Sequence, residues 1–428
     1  MKTKIAIKNQ DITPYGGIFY VEKEYDRLYS SLIDHTLGQR ARFVGYQYSD
    51  IFRCLSMIYF CGGHYLEDIT TLGRDFRFRP HSQVPSSDTI ARGLKELSED
   101  NTVYSSDSGQ RYSHNIAERL NGLLLDMLLH TGQLSRNSGI TLDFDHEFIP
   151  TDKYDALHSY KGQCGYFPGV ASVGSLLVGV ENRGGNTTVC FHQEDTLLRL
   201  FHRLEARGIP IARFRADNGS YTENVVRTVW EHSFRFYIRA SNCKSRTALY
   251  EDYKDWKSIE INYEREEVAS FLFTDFMEDA HLRLVVERKE IKEENGEQNL
   301  FGKRYIYRPI LTNDWDMTEE EIVSFYRARG ASEKNFDVQN NDFGWKHPPF
   351  SFMNQNAAFL LVTAMCKNFY LYLVDKLTKR KFEGLSPVIR MKRFMYVFVI
   401  VPAKWVKNGR RWILNLYTSK QYELISDA

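Results

Sequence analysis

The residues with the clearest chemical potential lie in one stretch, TEEEIVSFYRARGASEKNFDVQN, beginning at Thr318. Thr318 and Glu321 stand three apart in the pattern of a capping box, which predicts a helix starting there. At 100° per residue, Tyr326, Arg329, Glu333 and Asn340 then fall within an arc of about 60° on one side of that helix. A phenol, a guanidinium and a carboxylate on one stripe make poor core material and suit a site that holds a metal ion and a phosphate together. Two further acids come in fitting settings. The segment GITLDFDHEF alternates apolar and polar residues and predicts a strand, with Leu142 and Phe144 on one face and Asp143 and Asp145 on the other. IPIARFRADNGSYTEN reads as a buried strand ending at Asp217, with Asn218-Gly219 as a turn and Ser220 with Glu223 as a second capping box. An Asp at the C-terminal end of a strand, just before a turn into a helix, sits where α/β sheets place ligands and catalytic groups.

Asp143, Asp217 and Glu333, with the Y-x-x-R-x-x-x-E pattern of Tyr326, Arg329 and Glu333, resemble the catalytic set of DDE transposases. The chain is similar to bacterial insertion-sequence transposases of the Tyr-Arg-Glu-Lys signature group. Within that group, the LDFD strand and the RADNGS turn resemble the subgroup whose first strand reads L-D-x-D. The likeness covers roughly residues 139 to 370. Where the signature carries Lys, seven residues after Glu333, this chain has Asn340. The resemblance implies an RNase-H-like mixed sheet with helices on both faces, interrupted by a β-rich insertion ahead of the helix that carries the Glu. It implies a cut-and-paste transposase of a bacterial insertion sequence, which nicks terminal inverted repeats and joins the 3′-hydroxyls to target DNA. A homodimer holding two double-stranded DNA ends, a hairpin intermediate on those ends and a cytoplasmic, nucleoid-associated location go with it. Two alternatives stand beside this: an RNase-H-fold nuclease without strand transfer, and a DNA-binding protein whose catalytic site has decayed.

Three carboxylates answer a definite chemical need. Phosphodiester hydrolysis on this plan uses two divalent cations about 3.5–4 Å apart, one activating the attacking water or 3′-hydroxyl and the other stabilising the leaving oxygen. Mg²⁺ takes carboxylate and water oxygens, so a few acids suffice, and Mn²⁺ is expected to substitute. Asp143, Asp217 and Glu333 are therefore the expected catalytic and metal-binding set, with Asp143 bridging; Asp145 faces the same way and is the alternative first acid. His146 and Glu147 are candidate supporting groups beside them. Arg329 can grip a phosphate through its planar fork of donors, or pair with an acid. Tyr326 can bond a phosphate, stack on a base or pack on the sheet, and Asn340 can donate one uncharged hydrogen bond to a phosphate.

Composition sets the frame. A chain of 428 residues exceeds one ordinary core, and 43% hydrophobic with 26% charged residues is globular and soluble in character. The net charge of +1 does not by itself indicate a nucleic-acid partner. Its distribution says more: from Asp375 to Arg411 there are eleven Lys or Arg and two acids, so Lys392, Arg393, Arg410 and Arg411 are candidate DNA contacts. Six cysteines without a C-x-x-C pair suggest a reducing compartment, and no His/Cys run has zinc-ligand spacing. The start, MKTKIAIKNQDITPYGG, lacks the apolar run of a signal peptide, and no membrane-spanning segment is expected.

The elements that must position these residues divide into five stretches. Residues 1–135 read as a helical DNA-binding region, in which LEDITTLGRDF and VPSSDTIARGLKELSED form a possible helix-turn-helix presenting Thr89, Arg92 and Lys95. A plain helical bundle is the alternative there. Residues 136–240 carry the first part of the core: the Asp143 strand, the strands VASVGSLLVGVE and TTVCFH, then helix, Asp217 strand, helix and the strand FRFYIRAS. Residues 241–317 read as β-rich, with KEENGEQN as a hairpin loop and Trp256 and Trp315 either stacking on a base or sitting at a core boundary. Residues 318–374 complete the core, and residues 375–428 form a basic C-terminal region in which MYVFVIV suits a buried strand.

Overall fold

Aromatic- and leucine-rich helices come first along the chain. The computed structural model describes residues 5–8, 10–40, 45–261, 263–291, 293, 294, 297, 298 and 304–423. It opens with α1 (Ile18–Tyr25), α2 (Ser31–Leu37), α3 (Tyr48–Phe60), α4 (Asp68–Phe76) and α5 (Ser87–Lys95). Helix α5 starts where Ser86 accepts a hydrogen bond from the Thr89 amide at 3.3 Å, and its Ile90 and Leu94 are buried in the same core as Ile51 and Leu55 of α3. Residues 77–86 separate α4 from α5, too long a link for the three- or four-residue turn of a helix-turn-helix. The expected motif is therefore absent, and the packed-bundle alternative describes this region. Nor is the region wholly helical: β1 (Thr102–Ser105) and β2 (Arg111–Asn115) form a hairpin before α6 (Glu118–His130). These strands are four and five residues long and mostly polar, so no periodicity exposes them.

The core begins with β3 (Ile140–His146), followed by three short strands, β4 (Ile149–Pro150), β5 (Leu157–His158) and β6 (Cys164–Tyr166), which pair among themselves. The run read as one long strand is a hairpin, β7 (Gly169–Val173) and β8 (Leu176–Arg183), turned at Gly174 with φ +58°. TTVCFH, read as a strand, forms turns instead. Then come α7 (Gln193–Glu205), β9 (Ile211–Ala216), α8 (Glu223–His232) and β10 (Arg235–Arg239). The five strands lie in the order β8-β7-β3-β9-β10, with β7 antiparallel to both β3 and β8, and β9 and β10 parallel to β3. This is an RNase-H-like core. Thr222, not Ser220, caps α8, accepting from the Val225 amide at 3.4 Å; the Ser220 hydroxyl accepts from Gln193 Nε2 at 2.8 Å.

The expected insertion is β-rich but not a separate body. After α9 (Lys244–Asp252) come β11 (Lys257–Ile261), β12 (Glu264–Leu272), β13 (Arg283–Ile291), β14 (Glu293–Glu294), β15 (Glu297–Gln298) and β16 (Arg304–Thr312). Strand β16 pairs with β10, and β13, β12 and β11 follow, so the core sheet runs on unbroken to eleven strands, with β1 and β2 at its other edge. Of the KEENGEQN run, β14 pairs with β15 and the rest lies outside the described residues.

The remaining elements are α10 (Glu319–Arg327), α11 (Ala331–Asp342), α12 (Met353–Lys379), α13 (Met391–Phe394), β17 (Ala403–Asn408) and β18 (Arg411–Leu416). Helix α12 is long and apolar enough to cross a membrane, yet 89% of its most apolar window is buried inside the protein. It is the core helix against which the N-terminal helices close, with Phe369 edge-on to Tyr25 at 5.2 Å and to Tyr29 at 5.6 Å. MYVFVIV is helical through Val399, not a strand, and buries Val397, Phe398 and Val399. Gly16 donates to the Val401 carbonyl at 2.7 Å and Thr13 pairs with Ala403. The two ends of the chain thus share one hydrophobic core, and the C-terminal stretch is not an appended element.

Candidate active site

Strand register decides which acids meet. Along the parallel pair of β3 and β9, Asp143 lies opposite Arg215 and Phe144 opposite Ala216. Asp145 and Asp217 each come one residue further on, at the C-terminal ends of strands about 4.8 Å apart. Asp143 is 3% exposed and both its oxygens are taken by Arg215, at 2.6 Å from Nε and 2.8 Å from Nη2. Burial pushes its carboxyl up from the ordinary range, and the guanidinium opposes that. Arg215 also donates to the Phe325 carbonyl at 2.6 Å, so this buried pair brackets β3, β9 and α10 together. The expectation has Asp143 bridging two ions; here both its oxygens are held by Arg215, and the half-buried acid on the same strand face is Asp145.

Asp217 ends β9 and caps the short turn Asn218–Ser220, accepting from the Gly219 amide at 3.0 Å. Burial first, and the neighbouring Asp145 charge second, raise its carboxyl above the ordinary range; Arg329 opposes them. The capping box forms as the sequence requires, with Thr318 N to Glu321 Oε2 at 2.8 Å and Glu321 N to Thr318 Oγ1 at 3.3 Å. The helix it starts does not run through, however: a 3₁₀ turn, Ala328–Gly330, separates α10 from α11. That break divides the polar stripe.

Tyr326, 5% exposed, donates to the Ala216 carbonyl at 3.1 Å, and Arg239 and Arg329 lie 4.5 and 5.8 Å from its ring centre. It packs on the sheet. Arg329 Nη1 sits 2.7 Å from Asp145 Oδ2. Glu333 is exposed on α11, and no hydrogen bond or ion pair to it is found among the described residues. Asn340 is committed elsewhere, donating to Glu147 Oε1 at 2.7 Å; burial raises the Glu147 carboxyl and Asn340 opposes that. His146 turns to the opposite face from the acids, edge-on to Phe144 at 5.1 Å, so it does not support them.

The helix carrying Glu333 is tied down by residues that motif reading missed. Asn335 donates to the Gly174 carbonyl at 2.8 Å and accepts from Lys367 Nζ at 2.8 Å. Burial pulls Lys367 down to about 7. Arg390 bonds Asp337 at 2.5 Å and Asp342 at 3.0 Å. A lone Lys inside the apolar run of α12 was the only available signal for Lys367, and nothing local marks Arg390.

The candidate DNA contacts Arg92, Lys95, Lys392, Arg393, Arg410 and Arg411 are all exposed. Lys95 Nζ stands 5.3 Å over the Phe350 ring. Lys392 lines a cleft with Asn341 and Asp342 at the end of α11, while Arg410 and Arg411 sit at the tip of the β17–β18 hairpin. Trp256 is half-buried under Arg288 at 4.2 Å, and Trp315 is anchored through its Nε1 to the His281 carbonyl at 2.8 Å; both are boundary residues.

An RNase-H-like sheet with two acids at the ends of adjacent parallel strands defines a class, the nucleases and recombinases built on that fold. Within it the sequence matches the family described as "Transposase DDE domain group 1" over residues 4–425, and the chain belongs to this DDE transposase family. Among solved structures, it is similar to a piggyBac transposase synaptic complex with hairpin DNA, at 12% identity over 90% of this chain and 78% of that one, with a TM-score of 0.44. A Drosophila P element transposase strand transfer complex matches at 12% identity over 58% of this chain and 53% of that one, with a TM-score of 0.26. No curated protein matches the chain.

Proposed function

We propose that this DNA transposase moves a bacterial insertion sequence by cut-and-paste, cutting at terminal inverted repeats and joining 3′-hydroxyl ends to target DNA. One observation carries the assignment of the site: Asp145 and Asp217 end adjacent parallel strands, and the Arg329 guanidinium lies against them. The proposed catalytic set is Asp145, Asp217 and Glu333, with Asp143 in a positioning role.

The donor set fits a hard divalent cation. It is all carboxylate oxygen, and the Asp217 carboxyl is raised chiefly by burial and secondly by the neighbouring Asp145 charge. When bound, Mg²⁺ or Mn²⁺ supplies Lewis acidity and an activated oxygen nucleophile. The chain's own residues do the rest. Arg329, once off Asp145, presents a planar fork to a phosphate. Tyr326 backs that guanidinium and fixes the end of β9 through Ala216. The Asp143–Arg215 pair holds the strand ends in register with α10. Arg92, Lys95, Lys392, Arg393, Arg410 and Arg411 neutralise phosphates of the two DNA duplexes. Assembly as a homodimer on paired ends and a cytoplasmic, nucleoid-associated location complete the reading.

Cleavage and strand-transfer assays on DNA carrying the element's ends test it. Asp145→Asn, Asp217→Ala and Glu333→Ala lose at least about 10³-fold in cleavage, some 4 kcal/mol of barrier, while end binding survives. Asp143→Asn keeps cleavage within about tenfold and loses stability instead. Full cleavage by Asp145→Asn would sink the assignment of the first acid. Cutting without joining of precut ends would make the chain a nuclease.

A further inference from the structure

The end of the sheet opposite the acids holds a second cluster of ligating side chains. His202 and Glu205 stand three apart in the last turn of α7, and His232 ends the adjacent α8. Their ligand atoms all lie within 4.8 Å of one another. His232 Nδ1 is 2.7 Å from Glu205 Oε1, and its ring leans on Phe201 with centroids 5.5 Å apart, which fixes the imidazole plane. The His202 and His232 rings meet edge-on at 5.5 Å.

Of the arginines in and just after the last turn of α7, Arg203 pairs with Glu118 at 3.3 Å and Arg207 with Asp126 at 2.7 Å. Among the described residues, no ion pair of an arginine or lysine with Glu205 is found, and its partner is His232. Helix α7 leads into the start of β9, and Phe234, just after α8, donates to Ile211 at that same end at 3.0 Å. Asp217 lies at the far end of β9, six residues and about 20 Å away.

We propose that His202, Glu205 and His232 bind one divalent transition ion of the zinc class, which clips α7 to α8. Two imidazoles and a carboxylate are a set that Zn²⁺ accepts, at bonds of about 2.0–2.2 Å, with the remaining position open to water. Ligand atoms around such an ion stand about 3.3 Å apart, so side-chain rotation alone brings this cluster to that spacing. The oxygen-only acids at the other end suit Mg²⁺, so the two sites sort metals by ligand softness. Sequence spacing cannot reveal the cluster, because its third member comes from a separate helix.

The test is a Co²⁺ titration of the full-length chain in excess Mg²⁺, which occupies oxygen sites without competing for imidazole. One Co²⁺ per chain with tetrahedral visible absorption, displaced by Zn²⁺, is expected, together with a higher Tm in Zn²⁺. His202→Ala, whose side chain is exposed and leaves the fold intact, weakens binding by at least about tenfold, or 1.4 kcal/mol. Asp217→Asn leaves the absorption unchanged. A His202→Ala variant that binds Co²⁺ like the wild type, or a wild type that takes up none at micromolar concentrations, overturns the proposal.

Discussion

Glu181 and Asp217 are both carboxylates on the central sheet, and their surroundings are opposite. Glu181 on β8 is 2% exposed and fully compensated: Arg199 grips it at 2.8 and 3.0 Å, Thr196 donates at 2.5 Å and His114 stands at 3.5 Å. Although burial pushes its carboxyl up, hydrogen bonds from His114 and Arg199 and the charges of Arg199 and Arg183 hold it well below the ordinary range. Asp217 shares its surroundings with a second carboxylate, Asp145, and the guanidinium of Arg329. A buried acid whose two oxygens are both held by protein donors serves the fold. Two acids that share one cation are set up to receive another. The same contrast separates Asp143 from Asp145, two residues apart on one strand face.

Three measurements can break or sharpen that contrast. The largest effect is at the compensated acid. Glu181→Gln strands Arg199 and Arg183 in the interior and costs about 3 kcal/mol of stability, read from denaturant midpoints. A loss no greater than that from an exposed acid such as Glu223 would show that compensation does not mark a structural role. At the open site, Arg329→Gln removes the resident cation from Asp145. Its Mn²⁺ affinity without DNA, measured by calorimetry, rises about tenfold, or 1.4 kcal/mol. An unchanged affinity would mean that Arg329 does not guard the acids. The smallest effect is on the pH dependence of stability. Asp217 has its carboxyl raised in the folded state, so the wild type loses stability as pH climbs from the unfolded carboxylate range through that raised value. Asp217→Asn escapes this loss, and its Tm advantage appears above that window and vanishes in acid. An advantage that persists at low pH would place its cause in packing.

Much of the site's scaffolding was legible because it depends on neighbours in sequence. The Leu142/Phe144 alternation set the faces of β3, and the Thr318–Glu321 box set the start of α10. The turn after β9 was marked by Asn218-Gly219, while its helix cap moved to Thr222 because Ser220 was drawn inward by Gln193. The stripe projected from Tyr326 to Asn340 failed at Ala328–Gly330, where the chain tightens into a 3₁₀ turn and rotates the two halves apart. Short polar strands such as β1 and β2, and an apolar run such as MYVFVIV, carry no period that separates one secondary structure from another.

By itself, the sequence determined the chemistry on offer, three acids, an arginine and a capped helix, and its periodicity gave the longer strands and helices of the core. Only the tertiary structure decided which Asp pairs with a buried arginine and which stands beside Asp217. That choice rests on the parallel register of β3 with β9, which sets Arg215 across from Asp143 and leaves Asp145 beside Asp217. It also decided that Tyr326 packs inward, that Asn340 is spent on Glu147, and that the two chain ends close on one core. The physical reason is common to all of these. Local patterns fix what a segment is, whereas the partner of a buried charge comes from a strand or helix distant in sequence, and burial makes finding that partner obligatory.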